Sequence, residues 1–129
     1  MDTARSLITA ALHRAGVLAA SETATAEQAV NGLEILNEML QSWRDNSVDF
    51  GLTELSLDTP VAIDAGAARA VKYNLAVELA NHEHAAVPQR TTLIAEREFA
   101  ALVGRFVGHS RAKFDAAIVG PRRYDINSG

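Results

Sequence analysis

The residues best suited to binding a metal ion are His82, Glu83 and His84, where two imidazoles flank a carboxylate. On a helix, residues two positions apart point to nearly opposite sides, so both imidazoles cannot easily reach one ion. Zinc proteases with the HExxH motif place their histidines four positions apart. That spacing does not occur in this sequence, and we predict no metal site and no cofactor.

Nucleophilic catalysis would need a different grouping, and the one histidine beside a serine is His109, next to Ser110. That serine lacks the glycine-flanked turn of hydrolases, and adjacent residues form no proton relay unless the fold bends them together. The chain has no cysteine, which removes thiolate nucleophiles and disulfides. Acidic residues are numerous, but no pair stands out at the separation that glycosidases use. We predict no catalytic residue and no enzyme.

Nucleic-acid binding is a stronger alternative, because basic and aromatic residues interleave in the last quarter of the chain. Such a patch is sufficient for sequence-independent contact with phosphates. The whole chain has a net charge of -4, however, whereas dedicated DNA-binding domains are usually strongly basic. A small helical DNA-binding module is therefore kept as an alternative. The residues of the patch are Arg105, Phe106, Arg111, Lys113, Phe114, Arg122, Arg123 and Tyr124.

The composition indicates one domain with a thin core. Hydrophobic residues make up 48% of the 129 residues, but only 5% are aromatic, and alanine supplies much of the rest. Alanine favours helices but contributes little transfer free energy per residue. Burial against neighbouring subunits would supplement such a core. No apolar run approaches the ~20 residues that span a bilayer, and the start lacks a secretory signal, so we expect the protein to be made and used in a cytoplasm.

Capping residues and apolar spacing predict the first two helices. The first covers about residues 3–15 and stops at Gly16, where a left-handed residue is expected. Residues 25–28 have the spacing of a capping box, and they begin a second helix that runs to about Asn46. Gly32 inside this second helix would permit close approach by another helix.

Two further helices are predicted in the second half of the chain. Asp64 caps a third helix over about residues 65–86. Pro88 is placed as the first residue of a fourth helix, which extends to Ala112 or beyond. The chain after this helix has no periodicity and is expected to leave the domain as a tail.

A small β-hairpin is predicted between the second and third helices, at about residues 52–64. Leu55 and Leu57 alternate with polar residues, and so do Val61 and Ile63 beyond the turn. An isolated hairpin is marginally stable in water. We therefore expect this one to pack against the helices or a neighbouring subunit.

The predicted fold is mainly α, with a four-helix bundle-like body over residues 1–120, the small hairpin as an insertion, and an extended tail over residues 121–129. The core is expected to form from large apolar residues at helical spacing. These are Leu12, Leu33, Leu36, Leu40, Trp43, Leu75, Leu79, Leu102 and Phe106.

Charge is distributed unevenly along the chain. Residues 1–64 contain ten acidic and three basic residues, whereas residues 65–129 contain six acidic and nine basic residues. Ordinary solvated faces would explain this pattern, and so would a head-to-tail contact between copies in which opposite charges fix the orientation. The candidate interface residues are Glu34, Glu38, Arg97, Arg105 and Arg111.

The first two helices share a pattern of apolar residues. It reads Leu7-Ile8-x-x-Ala11-Leu12-x-x-x-Gly16-Val17, followed by a polar spacer and Ala29-x-x-x-Leu33-x-x-Leu36-Asn37-x-Met39-Leu40-x-x-Trp43. This pattern resembles that of the head-to-tail adaptor (connector) proteins of tailed bacteriophages. It is similar in particular to the tail accessory factor, or packaged-DNA stabilisation protein, of short-tailed phages. The resemblance implies assembly in the host bacterial cytoplasm.

The resemblance implies a structural protein of the virion, located at the head–tail junction. Members of this family form a ring, generally a dodecamer, beneath the portal protein. The ring extends the DNA channel, helps to retain packaged DNA and provides the platform for the next tail protein. DNA would pass through the ring without sequence-specific binding, and no membrane would be involved.

The resemblance also implies a role for the last residues, because the C-terminal segment of the family typically docks on the portal. The residues expected to do so are Pro121, Arg122, Arg123, Tyr124, Asp125, Ile126 and Asn127. Some relatives have been linked to cell-wall hydrolysis, so a phage-associated hydrolase is a further alternative. It would need an acidic residue such as Glu54, Glu78 or Glu83 in a cleft.

Overall fold

The protein folds into a helical bundle of four α-helices in the part that the structure describes. A computed structural model describes the backbone of residues 1–119 and the side chains of residues 1–108. The helices are α1 (Ala4–Arg14), α2 (Ala26–Asp45), α3 (Ala65–His82) and α4 (Gln89–Val119). The mainly α prediction is confirmed at this level.

The predicted helix starts are confirmed for the first three helices. The hydroxyl of Thr3 accepts from the N–H of Ser6, and the Ser6 hydroxyl accepts from the N–H of Thr3. Thr25 and Gln28 form the equivalent reciprocal pair at the start of α2. The Asp64 carboxylate accepts from the N–H of Ala67 at 2.8 Å. Each contact satisfies amide groups that a helix leaves free at its N-terminus.

The helix ends show why the predicted bound of α3 was wrong. Its helix ends at His82 rather than near Ala86, because His84 adopts a left-handed conformation with φ 56°. The N–H of Ala85 then donates to the carbonyl of Ala80 at 2.8 Å, which is the bond that closes a Schellman motif.

Left-handed residues also end α1 and α2. Gly16 has φ 78°, as predicted, and Ser47 has φ 84°. Beyond these residues, Val17 donates to the carbonyl of Leu12, and Val48 donates to the carbonyl of Trp43. A glycine signals such a stop in a sequence, whereas a serine or histidine does not.

The predicted β-hairpin is wrong. No strand forms within residues 1–119, and residues 46–64 pass over the helices as an irregular segment with an isolated antiparallel bridge between Thr3 and Pro60. Leu55 and Leu57 both pack on the core, and Ser56 between them is exposed. The alternation therefore belongs to an irregular segment and does not arise from strand pairing.

The helices themselves take up the hydrogen bonds that a hairpin would have used. The Leu55 N–H donates to the Asn37 side-chain oxygen at 2.9 Å, and the Asn37 amide donates back to the Leu55 carbonyl at 3.2 Å. The N–H of Arg5 donates to the Leu57 carbonyl, and the N–H of Val61 donates to the Asp2 carbonyl. The segment is therefore fixed to α2 and to the start of α1.

α3 lies at the centre of the bundle and packs against each of the other helices. α1 and α2 approach closely at Gly32, where a Cβ would lie 2.6 Å from Cγ2 of Ile8. This confirms the close approach predicted for that glycine. α4 begins one residue after Pro88 and is fixed at its start by Thr91, whose hydroxyl donates to the Arg14 carbonyl at 2.9 Å.

The core is continuous across α1, α2, α3 and α4. An aromatic group closes one side of it, where Trp43 packs against Phe99 at 4.9 Å between ring centroids and Phe50 packs against Phe106 at 5.6 Å. Six of the nine predicted core residues are buried, and the other three are partly buried and pack against the core. The buried ones are Leu12, Leu36, Trp43, Leu75, Leu79 and Leu102, and the partly buried ones are Leu33, Leu40 and Phe106.

We expect the same substitution to have opposite effects at two helical glycines. Gly32→Ala would force its methyl group against the fully buried Ile8, and such overpacking costs about 1–3 kcal/mol, more than the ~1 kcal/mol gained in helix propensity. Gly104→Ala meets nothing within 4 Å and should stabilise the protein by up to ~1 kcal/mol. Urea unfolding of both variants measures the difference, and an equal shift in both would contradict the close helix approach.

Asn37→Ala should destabilise the protein by about 1–3 kcal/mol, because it leaves both backbone groups of Leu55 without their partner. Asn31→Ala on the same helix is the matched control and should change the free energy of unfolding by less than ~0.5 kcal/mol. Equal stability of the two variants in urea would show that residues 46–64 are held by other contacts.

Candidate functional site

The residues considered for metal binding lie at an exposed helix end. His82 is the last residue of α3, Glu83 caps it and His84 is the left-handed residue beyond it, and all three are exposed. Within the described residues, no group of three or more histidine, cysteine, aspartate or glutamate side chains is arranged to hold a metal ion.

The acidic residues considered for hydrolysis lie in separate places. Glu54 lies on the rim of a groove of about 580 Å³ that is formed by α2 and the irregular segment. Glu78 and His82 line a second groove of about 580 Å³ between α2 and α3. Glu83 is exposed beyond the end of α3. The fold therefore does not bring these carboxylates together in one cleft.

The outward side of α2 is an acidic face, which we define by Glu27, Glu34, Glu38 and Asp45. All four side chains are exposed, and their spacing of seven, four and seven positions places them on one side of the helix. That side is opposite the buried Leu36 and Trp43. Two of the predicted interface residues, Glu34 and Glu38, thus belong to a longer row of like charges.

The outward side of α4 carries a second surface, which we call the α4 face. Leu93, Arg97, Ala100, Gly104 and Val107 follow one another at intervals of four and three positions, and all are exposed. Arg90 and Glu96 lie at its edges. The surface combines small and apolar residues with a net positive charge.

Three of the four exposed large apolar side chains among residues 1–108 lie on or beside these two surfaces. The four are Met1, Val30, Leu93 and Val107, with exposed fractions of 87%, 60%, 54% and 45%. Met1 begins the chain, and Val30 lies beside the acidic face between Glu27 and Glu34. Leu93 and Val107 lie on the α4 face, where Ala100 and Gly104 extend the stripe between them.

Arg105, a third predicted interface residue, is already engaged within the chain. Its guanidinium donates to the Asp64 carboxylate at 2.8 Å, and this pair joins α4 to the start of α3. The N–H of Ala67, followed by Arg105, holds the pKa of Asp64 below its ordinary value. Arg97, by contrast, is exposed on the α4 face.

The remaining predicted site residues lie outside the described residues. The side chain of Arg111 falls in the part of α4 for which only the backbone is described, and residues 121–127 follow the described chain. The prediction of a portal-docking tail is therefore carried by sequence alone.

The sequence analysis missed several members of both surfaces, namely Glu27, Val30, Asp45, Leu93 as an outward residue, Ala100, Gly104 and Val107. A signal for them was present. Apolar residues on the side of a helix opposite its main apolar stripe, as Leu93 and Val107 are relative to Leu102, indicate a second contact surface.

No protein-family model matches this chain, and a search of curated proteins found no match. Within the described residues, no helix combines the length and apolar character needed to cross a bilayer. Functional inference therefore depends on the residues and surfaces described above.

Acid titration should reveal the pair that joins α3 to α4. Because the folded pKa of Asp64 is depressed, its contribution to stability is present above the pKa of the unfolded chain and is lost as pH falls through the lower folded value. Asp64→Asn keeps a capping side chain but removes the charge. We expect it to be less stable than the native protein at pH 7, by a margin that shrinks below about pH 4.

Arg105→Gln is the partner variant for this titration. It should lower the stability at pH 7 by less than Asp64→Asn does. The reason is that the N–H of Ala67 still donates to Asp64 and keeps part of the depression of its pKa. Thermal unfolding between pH 2 and 7 measures both variants. If the difference in stability between the native protein and Asp64→Asn did not change with pH, the role given to this carboxylate would be contradicted.

Proposed function

We propose that this protein is a structural virion protein, the head-to-tail adaptor of a tailed bacteriophage. In this proposal, copies form a ring beneath the portal that extends the DNA channel, helps to retain packaged DNA and carries the next tail protein. The observation that supports it best is the pair of exposed, oppositely charged helix faces on α2 and α4, which gives one small body two different lateral surfaces.

Two different surfaces on one body are what a ring subunit needs. A contact between unlike surfaces leaves one of each free at the ends, so it repeats until its rotation closes a ring. Each contact can be weak, since linked contacts gain strength through effective concentration. The thin, alanine-rich core is consistent with a subunit that gains further burial from its neighbours.

In the proposed assembly, residues 121–129 dock on the portal. Arg122 and Arg123 would contact acidic or carbonyl groups there, and Tyr124 and Ile126 would fill apolar pockets. A single short docking segment buries little surface and binds weakly. Repetition around the ring raises the overall affinity.

The placement of the other candidate residues gives the two alternatives less specific support. Glu54 and Glu78 each line a groove, but the two grooves are separate, and Glu83 lies outside both. Arg105 of the basic patch is paired with Asp64, which lowers the positive charge available for phosphates. Neither observation gives an argument for hydrolysis or for DNA binding as the main activity.

Deletion of residues 121–129 tests the proposal. The full chain should elute as a small species alone and comigrate with the portal of the same phage when the two are mixed. The deletion variant should keep its helical circular-dichroism spectrum, because the described bundle does not include these residues, and should no longer comigrate. A variant that lacks only residues 128–129 is the control and should bind.

Failure of the full chain to bind the portal would contradict the proposed function. Binding that persists without residues 121–129 would leave the adaptor function in place and show that the helical body makes the attachment. Peptidoglycan zymography and salt-dependent DNA retention of the same preparations test the two alternatives directly.

A further inference from the structure

Both lateral surfaces point away from the core of the molecule that carries them. The acidic face lies opposite the buried side of α2, and the α4 face lies opposite the buried side of α4. α2 and α4 approach each other through Trp43 and Phe99, which are on their inward sides. The two surfaces of one copy therefore cannot meet each other, although they can meet on two copies.

We infer that the acidic face of α2 in one copy packs along the α4 face of a second copy, in a head-to-tail contact. The closure of such contacts into a ring rests on the proposed function, whereas the contact itself does not. The occupant of each surface is thus the complementary surface of another copy of this chain.

Charge selects this pairing over contacts between identical surfaces. The acidic face carries Glu27, Glu34, Glu38 and Asp45, so two such faces would repel each other. The α4 face has Arg97 at its centre and Arg90 at its edge, against the single carboxylate of Glu96. An acidic helix packed against a basic one is attracted, and the same charges disfavour the pairing of two α2 helices.

The apolar groups fit the same pairing. Val30 stands beside the acidic face, and Leu93 and Val107 lie on the α4 face with Ala100 and Gly104 between them. Burial of Val30 against this stripe would remove the exposed large apolar side chains of both helices from water.

The small residues of the α4 face give a partner helix room to approach. A Cβ at Gly104 would meet no atom of the described residues within 4 Å, so their packing does not require a glycine there. Glycine also weakens an exposed helix relative to alanine. Within this chain, Gly32 shows what a helical glycine permits, since Ile8 of α1 occupies the space beside it.

Disulfide trapping tests the contact, because the chain contains no native cysteine. Val30→Cys and Leu93→Cys would be prepared as separate proteins, one of them carrying a size tag, and mixed at high concentration before oxidation. Thr59→Cys, an exposed position in the irregular segment, is the control in the same mixture. Denaturing gels then separate mixed dimers from the two kinds of like dimer.

We expect mixed dimers of Val30→Cys with Leu93→Cys to exceed both like dimers and the control by about ten-fold, as a preferred contact orientation requires. The inference would be overturned if mixed and like dimers formed in random proportions or if like dimers dominated. It would also be overturned if the yield of mixed dimers equalled the yield obtained with Thr59→Cys.

Charge reversal gives a second measurement on the same proteins. Glu34→Lys with Glu38→Lys in the Val30→Cys chain should reduce the mixed dimer by about ten-fold, and Arg97→Glu in the Leu93→Cys chain should restore part of it. Glu22→Lys with Glu83→Lys makes the same change in net charge at exposed positions that line neither groove beside the acidic face and should leave the yield unchanged. An equal loss in this control would show a general charge effect and overturn the inference.

The outcomes separate this inference from the proposed function. Mixed dimers from a protein that does not bind the portal would support the contact and contradict the adaptor function. Rings that assemble on the portal from the two cysteine variants, yet give no mixed dimers when they are oxidised there, would support the function and overturn the contact.

Discussion

The structure depends on the burial of α3 on nearly every side. Ala67, Ala70, Ala76 and Ala80 are almost fully buried, together with Val71, Leu75 and Leu79. A helix with buried residues around most of its circumference lies inside a bundle, and its alanines let neighbouring helices come close. α1, α2 and α4 pack around it, while Asn74 at the α3–α4 contact donates from its amide to the Ala95 carbonyl at 3.0 Å.

A central helix of small residues organises the bundle but leaves the outer helices with surfaces that residues 1–108 do not cover. α2 and α4 turn Leu36, Trp43 and Leu102 inward and leave Val30 and Leu93 in solvent. The charges on their outward sides differ in sign, so the body carries two unlike surfaces. This is the physical basis of the proposed assembly, and it requires no catalytic group.

Helix starts were predictable from sequence, whereas some helix ends and the hairpin region were not. Thr3, Thr25 and Asp64 cap their helices through bonds to residues three positions away, and such local bonds leave a sequence pattern. The stops at Ser47 and His84 use left-handed residues other than glycine.

The irregular segment is fixed by contacts distant in sequence, such as that between Asn37 and Leu55, and alternation alone could not distinguish these from strand pairing. The same limit applies to the candidate site. The uneven charge along the chain pointed to Glu34 and Glu38, but the engagement of Arg105 by Asp64 joins residues 41 positions apart and needed the fold.

Electron microscopy of this protein mixed with its proposed partner, a phage portal protein, would show whether the proposed ring forms. We expect a closed ring of added density, coaxial with the portal, in which neighbouring subunits meet through α2 and α4. Portal particles that remain unchanged at saturating concentrations of this protein would contradict the proposed function.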